Sequence, residues 1–300
     1  MILSKKIRLR PTTKQEQQLW KSAGTARFTY NWALSKQIQH FEKIGKLTKI
    51  PDGSLRKELT QLKQCEDYAW LYEVSNNVAK QAVKDVCNAL DRFHKESKKH
   101  GYRYRKSALK RVKQGGKPLT FRDFEDFPRF KKKNKAEPKF FNDNVKLKVK
   151  EDKVLLEKVG WIKFSEIGEI PTETKYTNPR ITYDGKYWYL TVGFEQTVEP
   201  VVLNEVSLGI DVGIKDLATC SDGTVFKNIN KTQTVKKLEK RLRRLQRQVS
   251  RKYELNKIGK EFVKTENIIK LEKRIRLVQR RLTGSRNKHI HQTTIAIVKT

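Results

Sequence analysis

Acidic residues are scarce in this sequence. Its 300 residues include 33 Asp and Glu against 67 Lys and Arg, which gives a formal net charge of +34. A small soluble domain typically carries a net charge of roughly 2 to 8 in magnitude, and self-repulsion on the larger scale destabilises a compact chain unless a polyanion neutralises it. The imbalance therefore indicates a nucleic-acid partner, and a long duplex or a structured RNA fits the charge better than a short site.

Long apolar runs and paired cysteines are also missing. No segment approaches the roughly 20 apolar residues that a membrane-spanning helix needs, and the opening residues Met1–Lys6 are not followed by the apolar core of a signal peptide. Cys65, Cys87 and Cys220 have no paired spacing, so neither a disulfide framework nor a zinc site is indicated. We therefore expect a cytoplasmic protein with no membrane partner and no zinc ion.

A short glycine-flanked motif within residues 206–226 contains the strongest candidate for a chemical role. Asp211 lies in a predicted strand with Gly209 and Gly213 at the alternate positions, so these three residues share one face. Glycine weakens an ordinary strand, but it lets a ligand approach the backbone closely. We therefore predict that Asp211 is a metal ligand and that both glycines leave room for the metal ion and a phosphate.

The residues after this motif continue a sheet. Leu217–Cys220 and Thr224–Ile229 predict two more strands, and the Asp222-Gly223 pair between them is a strong hairpin signal. Three consecutive strands with an acid in the first are typical of the start of an RNase H-like nuclease core. Two-metal phosphodiester hydrolysis needs several carboxylates, however, and the glutamates that follow lie among Lys and Arg, where we expect ion pairs.

An actin-like or sugar-kinase-type phosphotransferase is the alternative for this motif. Those folds begin with the same pattern of an apolar residue followed by Gly-Ile-Asp-x-Gly, in which the glycines approach ATP phosphates and the aspartate holds Mg²⁺. The charge argues against this alternative, because a net charge of +34 has no use in binding one nucleotide.

The first 200 residues predict a sheet interrupted by helices. Apolar and basic residues alternate in Ile2–Arg10, which is typical of a half-buried strand, and the capping-box pattern Thr13-x-x-Glu16 opens a helix. Further helices are predicted at 55–62 and 75–98, and further strands at 144–164 and 180–198. We expect an α+β protein with a small antiparallel sheet or β-barrel, a helical bundle inserted into it, and the RNase H-like part after residue 200.

Two segments of this part interleave basic and aromatic residues. In Arg27–Trp32 three aromatic residues fall within six positions, for which helix core is the simplest interpretation and nucleic-acid contact the alternative. In 101–135 Tyr and Phe alternate with Lys and Arg, as on surfaces that track a phosphate backbone and stack on bases. A solvated basic loop is the alternative there, but it would leave the aromatic residues exposed without reason. The predicted nucleic-acid contacts are Arg27, Tyr30, Asn31, Tyr102, Arg103, Tyr104, Arg105, Arg129, Phe130 and Lys131.

Two helices with heptad-like seams are predicted after the glycine-flanked motif. Apolar residues recur at spacings of 3 and 4 from Val235 to Val249 and again from Ile268 to Leu282, which is typical of an antiparallel helical hairpin. The outer faces carry many Lys and Arg with few acids between them, so we predict phosphate contact rather than a merely solvated face. The cations predicted to bind nucleic acid are Arg241, Arg244, Arg247, Arg274 and Arg280.

These motifs together resemble the TnpB (OrfB) family of bacterial insertion sequences, compact relatives of the type V CRISPR effector nucleases. Their order and spacing along the whole chain carry the resemblance more than any single motif does. The matching stretches are Ile7–Thr13 followed by Gln15–Gln17, Arg27–Trp32, Phe127–Lys131, Ile181–Leu190, Gly209–Asp216 and the basic double helix after it.

The resemblance implies a transposon-encoded, RNA-guided DNA endonuclease of a bacterial or archaeal cytoplasm. Its expected domains are a wedge-like β-barrel at 1–11 and 136–200, an inserted helical recognition lobe at 12–135, and the N-terminal part of a RuvC nuclease domain at 201–300. A guide RNA, a double-stranded DNA target and a partner transposase from the same transposon are the implied partners. By the same resemblance, Asp211 is the first catalytic carboxylate of the RuvC centre and a ligand of Mg²⁺.

Part of the family pattern has no counterpart in these 300 residues. The resemblance implies a Glu on a strand after the helical hairpin, a CxxC zinc ribbon and a later Asp, and the chain stops before they would follow. The sequence therefore also fits a truncated product that binds nucleic acid without cutting it. We predict that residues 1–300 bind RNA with a steep salt dependence and do not cleave DNA.

Overall fold

The computed structural model describes residues 1–133, 136–197, 207–259 and 261–299. The chain divides into an N-terminal unit, Met1–Val198, and a C-terminal unit, Glu199–Thr300, each with its own core. The predicted domain boundaries after residues 135 and 200, and the first residue of the glycine-flanked motif at 206, fall outside the described residues.

In the described part of the N-terminal unit, a seven-stranded antiparallel sheet forms one layer. The strands follow the order β2-β6-β7-β1-β5-β4-β3, which places the first strand of the chain at the centre of the sheet. The strands are β1 (Ile2–Arg10), β2 (Lys139–Phe141), β3 (Lys148–Val149), β4 (Lys153–Leu156), β5 (Gly160–Phe164), β6 (Tyr176–Tyr183) and β7 (Trp188–Glu195).

Local sequence chemistry explains these strands. The apolar residues of the alternating pattern in β1, Ile7 and Leu9, are buried and lie opposite Leu190 and Trp188 of β7. The predicted hairpin between β6 and β7 is confirmed. Asp184 Oδ1 accepts hydrogen bonds from the amides of Lys186 and Tyr187 at 2.9 and 2.8 Å, and Gly185 adopts a φ of +98°.

Helices form the second layer of this unit. Helix α1 crosses both of its cores, because Leu19 and Ala23 pack with the sheet while Leu34 and Phe41 pack with the other helices. The helices are α1 (Thr13–Ile44), α2 (Asp52–Leu62), α3 (Asn76–His100) and α4 (Lys106–Lys113), with 3₁₀ segments at Glu66–Glu73 and Phe121–Asp123.

The sheet is open, so the predicted closed β-barrel is wrong. The strands β2 and β3 lie at opposite edges, and no pairing joins them within the described residues. They are only three and two residues long, whereas a barrel closes through tilted, staggered strands that can pair along their length. Helices α1 and α3 contact β2 instead, and a helix over an edge is another way to protect it.

The cap of helix α1 lies one residue before the predicted one. Thr12 has an extended backbone, its hydroxyl accepts a hydrogen bond from the Gln15 amide at 3.3 Å, and Gln15 Oε1 accepts one from the Thr12 amide at 3.0 Å. The Gln15 side chain also donates to the Trp161 carbonyl of β5 at 2.8 Å. This anchor on the sheet favours the pair Thr12 and Gln15 over Thr13 and Glu16.

The C-terminal unit combines a small sheet with a helical hairpin. The predicted strands and turn are confirmed, since β8 (Ile210–Asp211), β9 (Asp216–Cys220) and β10 (Val225–Lys227) pair in the order β10-β9-β8. Helix α5 (Gln233–Leu255) and helix α6 (Glu266–Lys299) follow, and the short strands β11 (Lys257–Ile258) and β12 (Glu261–Phe262) lie between them.

The predicted seam of the helical hairpin is confirmed. Arg286 in the second half of α6 pairs with Glu239 near the start of α5 at 2.8 Å, and Tyr253 at the end of α5 donates to Glu272 near the start of α6 at 2.8 Å, so the helices are antiparallel. The buried seam residues are Val235, Leu245, Leu271, Val278 and Leu282.

Within the described ranges, no helix is both long and apolar enough to cross a membrane.

Candidate metal-binding aspartate and nucleic-acid interface

Asp211 lies in β8 with its residue exposed to solvent. Its backbone is in register with Thr219 of β9. Just before it, Ser221 holds Gly209 twice: the Ser221 amide donates to the Gly209 carbonyl at 2.9 Å, and the Gly209 amide donates to the Ser221 hydroxyl at 3.0 Å. Among the described residues the Asp211 carboxylate has no ion pair or side-chain hydrogen bond, so both oxygens are available to a ligand.

The flanking glycines have different surroundings. A Cβ atom at Gly213 would lie 3.2 Å from the Asp216 carbonyl oxygen, so the turn between β8 and β9 itself favours glycine. A Cβ atom at Gly209 would make only ordinary contacts with Ser221, at 3.5 and 3.6 Å. The turn therefore gives a structural reason for Gly213, whereas room for a ligand remains a prediction for both positions.

The fit of Mg²⁺ to this site is partial. Mg²⁺ prefers oxygen ligands and often binds through one or two carboxylates together with waters and substrate phosphates, so Asp211 suits it as one ligand. Across the described residues, no cluster of three or more His, Cys, Asp or Glu side chains could hold a metal ion. A two-metal centre requires more carboxylates than this, so the described residues do not complete one.

Glutamates of the helical hairpin form ion pairs, as predicted. The Glu272 carboxylate forms an ion pair with Lys264 at 2.5 Å and accepts a hydrogen bond from the Tyr253 hydroxyl at 2.8 Å. Burial acts to raise the pKa of Glu272, but these two hydrogen bonds outweigh it and lower the pKa below its usual value. Glu266 similarly pairs with Lys270 at 3.3 Å. Glu272 therefore joins α5 to α6 through Tyr253, whereas the Glu266 pair lies within α6, and neither acid is a free metal ligand.

The outer faces of the hairpin present cations. Arg241, Arg244, Arg247 and Arg274 are exposed, and Arg280 is half-buried. A shallow cleft of about 410 Å³ runs along one face of α5. Its arginines recur every four residues, so they rise about 6 Å from one to the next along the helix axis. This spacing was the sequence signal for Arg243 and Arg251, which the predicted contacts lack. The lining residues are Arg243, Gln246, Arg247, Ser250 and Arg251.

In the N-terminal unit, Asn31 fixes the main chain of Lys131 to helix α1. Its Nδ2 donates to the Lys131 carbonyl at 3.0 Å, and its Oδ1 accepts from the Lys131 amide at 2.8 Å. The Lys131 ammonium lies 3.5 Å from the centroid of the Tyr30 ring, which is buried. We call this arrangement of Tyr30, Asn31 and Lys131 the Asn31 clamp. It brings three predicted nucleic-acid contacts together in an intramolecular role.

A half-buried ion pair lies next to the Asn31 clamp. Arg180 of β6 binds Asp85 of α3 through two hydrogen bonds of 2.9 and 3.0 Å. Burial acts to raise the pKa of Asp85, but hydrogen bonds from Arg180 and Gln81 lower it below its usual value. Burial also lowers the pKa of Lys131 to about 8, against the opposing attraction of Asp85. Charged groups therefore join the sheet to the helices within this unit.

Aromatic residues of 101–130 pack on the helical core, so the expectation that they form an open stacking surface is wrong in part. Tyr104 stacks on Phe124 with 4.4 Å between ring centroids, and Phe124 is buried. Arg105 donates to the Phe124 carbonyl at 3.0 Å. Tyr102 stays 46% exposed but contacts the edge of Phe93. Burying rings contributes large apolar contacts, which is why they close the core.

Four other predicted contacts keep more accessible side chains. Arg103 and Arg129 are exposed, Arg27 is half-buried, and Phe130 is 37% exposed beneath the Arg122 guanidinium. Among the described residues, none of the side chains of Arg27, Arg103 and Arg129 forms a hydrogen bond or ion pair. Of the predicted contacts in the N-terminal unit, these arginines are the best placed to bind phosphate.

A cleft that the sequence did not predict lies between α1 and the 3₁₀ segment Glu66–Glu73. It encloses about 440 Å³, and we call it the Gly24 cleft. A glycine inside an otherwise continuous helical pattern was its sequence signal. The lining residues are Lys21, Gly24, Thr25, Arg27, Phe28, Trp70, Glu73 and Val74.

Comparison with known proteins matches both ends of the chain to OrfB families of the IS605 group. Residues 1–46 match a model described as "Helix-turn-helix domain", and residues 189–300 match one described as "Probable transposase". In the structure, residues 1–46 form β1 and the unbroken helix α1 rather than two short helices. The first description therefore does not fit the geometry of this segment.

Two curated relatives match most of the chain. The "Putative RNA-guided DNA endonuclease InsQ" of Escherichia coli (strain K12) is 31% identical over 252 residues, which cover 84% of this chain and 54% of the relative. The "Putative RNA-guided DNA endonuclease" of Streptomyces pristinaespiralis is 26% identical over 248 residues, which cover 82% and 54%. The chain spans about half the length of these relatives. Matched in this way at both ends and along most of its length, the chain belongs to the OrfB (TnpB) family of insertion-sequence proteins.

Proposed function

We propose that this chain acts in RNA-guided DNA cleavage, binding a guide RNA and a double-stranded DNA target and supplying Asp211 to a RuvC-type centre that uses Mg²⁺. The observation that carries the proposal is an exposed carboxylate without an intramolecular partner, on a strand followed by a helical hairpin with exposed arginines. The names of both relatives agree with this proposal. They give no support to a phosphotransferase.

Chemically, the proposal assigns separate tasks to these residues. When bound, Mg²⁺ would polarise a phosphodiester and lower the pKa of a bound water. Asp211 would hold the ion through a carboxylate oxygen, and the arginines of α5 would hold the nucleic-acid backbone through phosphate contacts. Because the described residues group no further carboxylates with Asp211, we propose no cleavage step by these 300 residues alone. Binding without cleavage is therefore the activity expected of the isolated chain.

Salt dependence tests the binding half of the proposal. A chain that makes 6 to 10 phosphate contacts loses roughly 10³- to 10⁵-fold in affinity between 50 and 200 mM salt. Replacing Arg243, Arg247 and Arg251 together by Gln should reduce the slope of log affinity against log salt by roughly 2 to 3. The measurement is fluorescence anisotropy with a structured RNA. Affinity that barely changes with salt would contradict the proposal.

A matched control separates position from total charge. Lys95, Lys98 and Lys99 are three exposed cations near the end of α3, and they are not predicted contacts. Replacing these three by Gln removes the same net charge and should leave most of the salt slope in place. Equal slopes for the two triple variants would show that α5 has no special role.

A nuclease assay tests the cleavage half. With Mg²⁺, a guide RNA and a matching duplex, residues 1–300 should bind without producing cut DNA. Cleavage that disappears in Asp211→Ala would contradict the expected lack of activity and would support Asp211 as a metal ligand. Cleavage that persists in this variant would point to a contaminating nuclease.

A further inference from the structure

The Gly24 cleft has an aromatic wall. Phe28 of α1 and Trp70 of the 3₁₀ segment meet edge to face, with 5.0 Å between ring centroids and 73° between ring planes. Trp70 remains 38% exposed. The cleft volume of about 440 Å³ lies within the range of roughly 300 to 1,000 Å³ that is usual for small-ligand sites. The cleft can therefore admit a flat ring against an accessible aromatic surface.

Gly24 lines this cleft, and the fold itself gives no reason for a glycine there. Glycine is among the poorest helix formers, and Gly24 lies in the interior of α1. Its φ is not positive, and a Cβ atom built on it would meet no atom within 4 Å. Neither backbone conformation nor close packing within the described residues calls for glycine. The missing side chain has one visible effect, which is to keep the cleft open.

The rim of the cleft is charged and fixed in place. Gln18 of α1 donates to the Glu73 carbonyl at 2.8 Å, and Lys21 forms an ion pair with the Glu73 carboxylate. These contacts hold the Trp70 segment against the helix. Arg27, one turn after Gly24, lines the same cleft without an ion pair or hydrogen bond among the described residues. A guanidinium beside an aromatic wall suits a ligand that joins a flat ring to an anion.

We infer that the Gly24 cleft binds one unstacked nucleobase of the bound nucleic acid, with Arg27 on the adjacent phosphate. The inference rests on the proposed function, since it needs a nucleic-acid partner. The net charge of +34 favours a polyanion over an apolar peptide as the occupant. Every base has a π-face, so stacking on Trp70 and Phe28 tolerates different sequences. RNA and DNA share this chemistry, and the experiment distinguishes them.

The direct test fills the cleft with Gly24→Leu. The probes are single-stranded RNA and single-stranded DNA of one sequence, each with a matched oligonucleotide whose bases are replaced by abasic sites. The variant should lose roughly 5- to 150-fold in affinity for the base-containing strand that occupies the cleft, and nothing for its abasic counterpart. Its melting temperature should stay equal or rise, because leucine is a better helix former than glycine. Whichever strand shows the base-dependent loss identifies the source of the base.

Two further variants keep this result interpretable. Gly53 also lies in a helix with open space around its Cβ position but does not line the cleft, so Gly53→Leu should leave affinity unchanged. Trp70→Ala should repeat the base-dependent loss, and Trp70→Phe should restore much of it because a ring remains. If wild-type protein binds all four probes and no variant shows a base-dependent loss, the inference is wrong while the proposed function stands. If wild-type protein binds none of them, the inference is wrong, and binding to structured RNA decides the proposed function separately.

Discussion

Removing the Asn31 side chain distinguishes structural clamping from nucleic-acid contact. Asn31→Ala deletes two hydrogen bonds to the main chain of Lys131, of 3.0 and 2.8 Å. Each hydrogen bond contributes about 1 kcal/mol net, and a buried partner left unsatisfied costs about 1 to 3 kcal/mol. Since Asn31 is half-buried, water can satisfy part of the loss, and we expect the free energy of unfolding to fall by about 2 kcal/mol.

Thermal and urea unfolding followed by circular dichroism measure this effect. For a unit of about 200 residues, 1 kcal/mol shifts the melting temperature by about 2 to 4 °C, so Asn31→Ala should lower it by about 4 to 8 °C. The affinity for structured RNA, measured where the variant is fully folded, should stay close to that of the wild type. Asn31 then stabilises the fold and is not itself a ligand of the nucleic acid.

Arg103→Ala is the matched control with the opposite expectation. Its side chain is exposed, and within the described part of the chain it forms no hydrogen bond or ion pair. Its loss should change stability by less than about 0.5 kcal/mol and reduce RNA affinity. The reasoning is refuted if Asn31→Ala melts within about 1 °C of the wild type and loses affinity instead, because the side chain would then contact nucleic acid and contribute little to the fold.

Three further predictions concern charge, metal and packing. The pKa of Lys131 is about 8 in the fold against an ordinary value of 10.5, so between pH 8 and pH 10.5 the unfolded chain binds more protons and stability should rise with pH. Lys131→Met should flatten this rise in urea titrations, and an unchanged slope of stability against pH would contradict the prediction. Asp211→Asn should abolish the paramagnetic broadening by Mn²⁺ of the amide signals around β8 while leaving the fold intact, and persistent broadening would exclude this aspartate as a ligand. Leu245 is buried in the helical seam, so Leu245→Ala should lower the free energy of unfolding by about 2 to 5 kcal/mol. If the variant loses its helicity at the same urea concentration as the wild type, the seam is loosely packed.

Local chemistry made much of the fold predictable from sequence. Alternation identified β1 through Ile7 and Leu9, Asp-Gly pairs identified two hairpins, and spacings of 3 and 4 identified the seam of the helical hairpin. Strand β2 was missed because it is three residues long and depends on β6, about 40 residues later in the chain, for its pairing. The open sheet could not be predicted for a related reason, since closure depends on what meets its edges and not on any one strand.

The candidate site was less predictable, because tertiary partners decide what each polar or aromatic side chain does. The sequence places Tyr30 and Asn31 about 100 residues before Lys131, and only the fold shows that they contact each other. A run of basic and aromatic residues looks the same whether its rings bind bases or fill a core, and Phe124 is in the core. Asp211 was identifiable because its neighbouring glycines mark it, although its metal role remains a prediction.

The central position of β1 has a consequence for synthesis on the ribosome. This strand pairs with β7 from Ile2 opposite Glu195 to Leu9 opposite Trp188, so it must wait for almost the whole N-terminal unit to emerge. At roughly 5 to 20 residues per second, that wait lasts roughly 10 to 40 s. During this time Ile7 is exposed on a strand that still lacks β7, which is a hazard for aggregation. The alternating Lys and Arg of β1 repel other nascent chains. The same basic residues that suit a nucleic-acid partner therefore also protect β1 until β7 pairs with it.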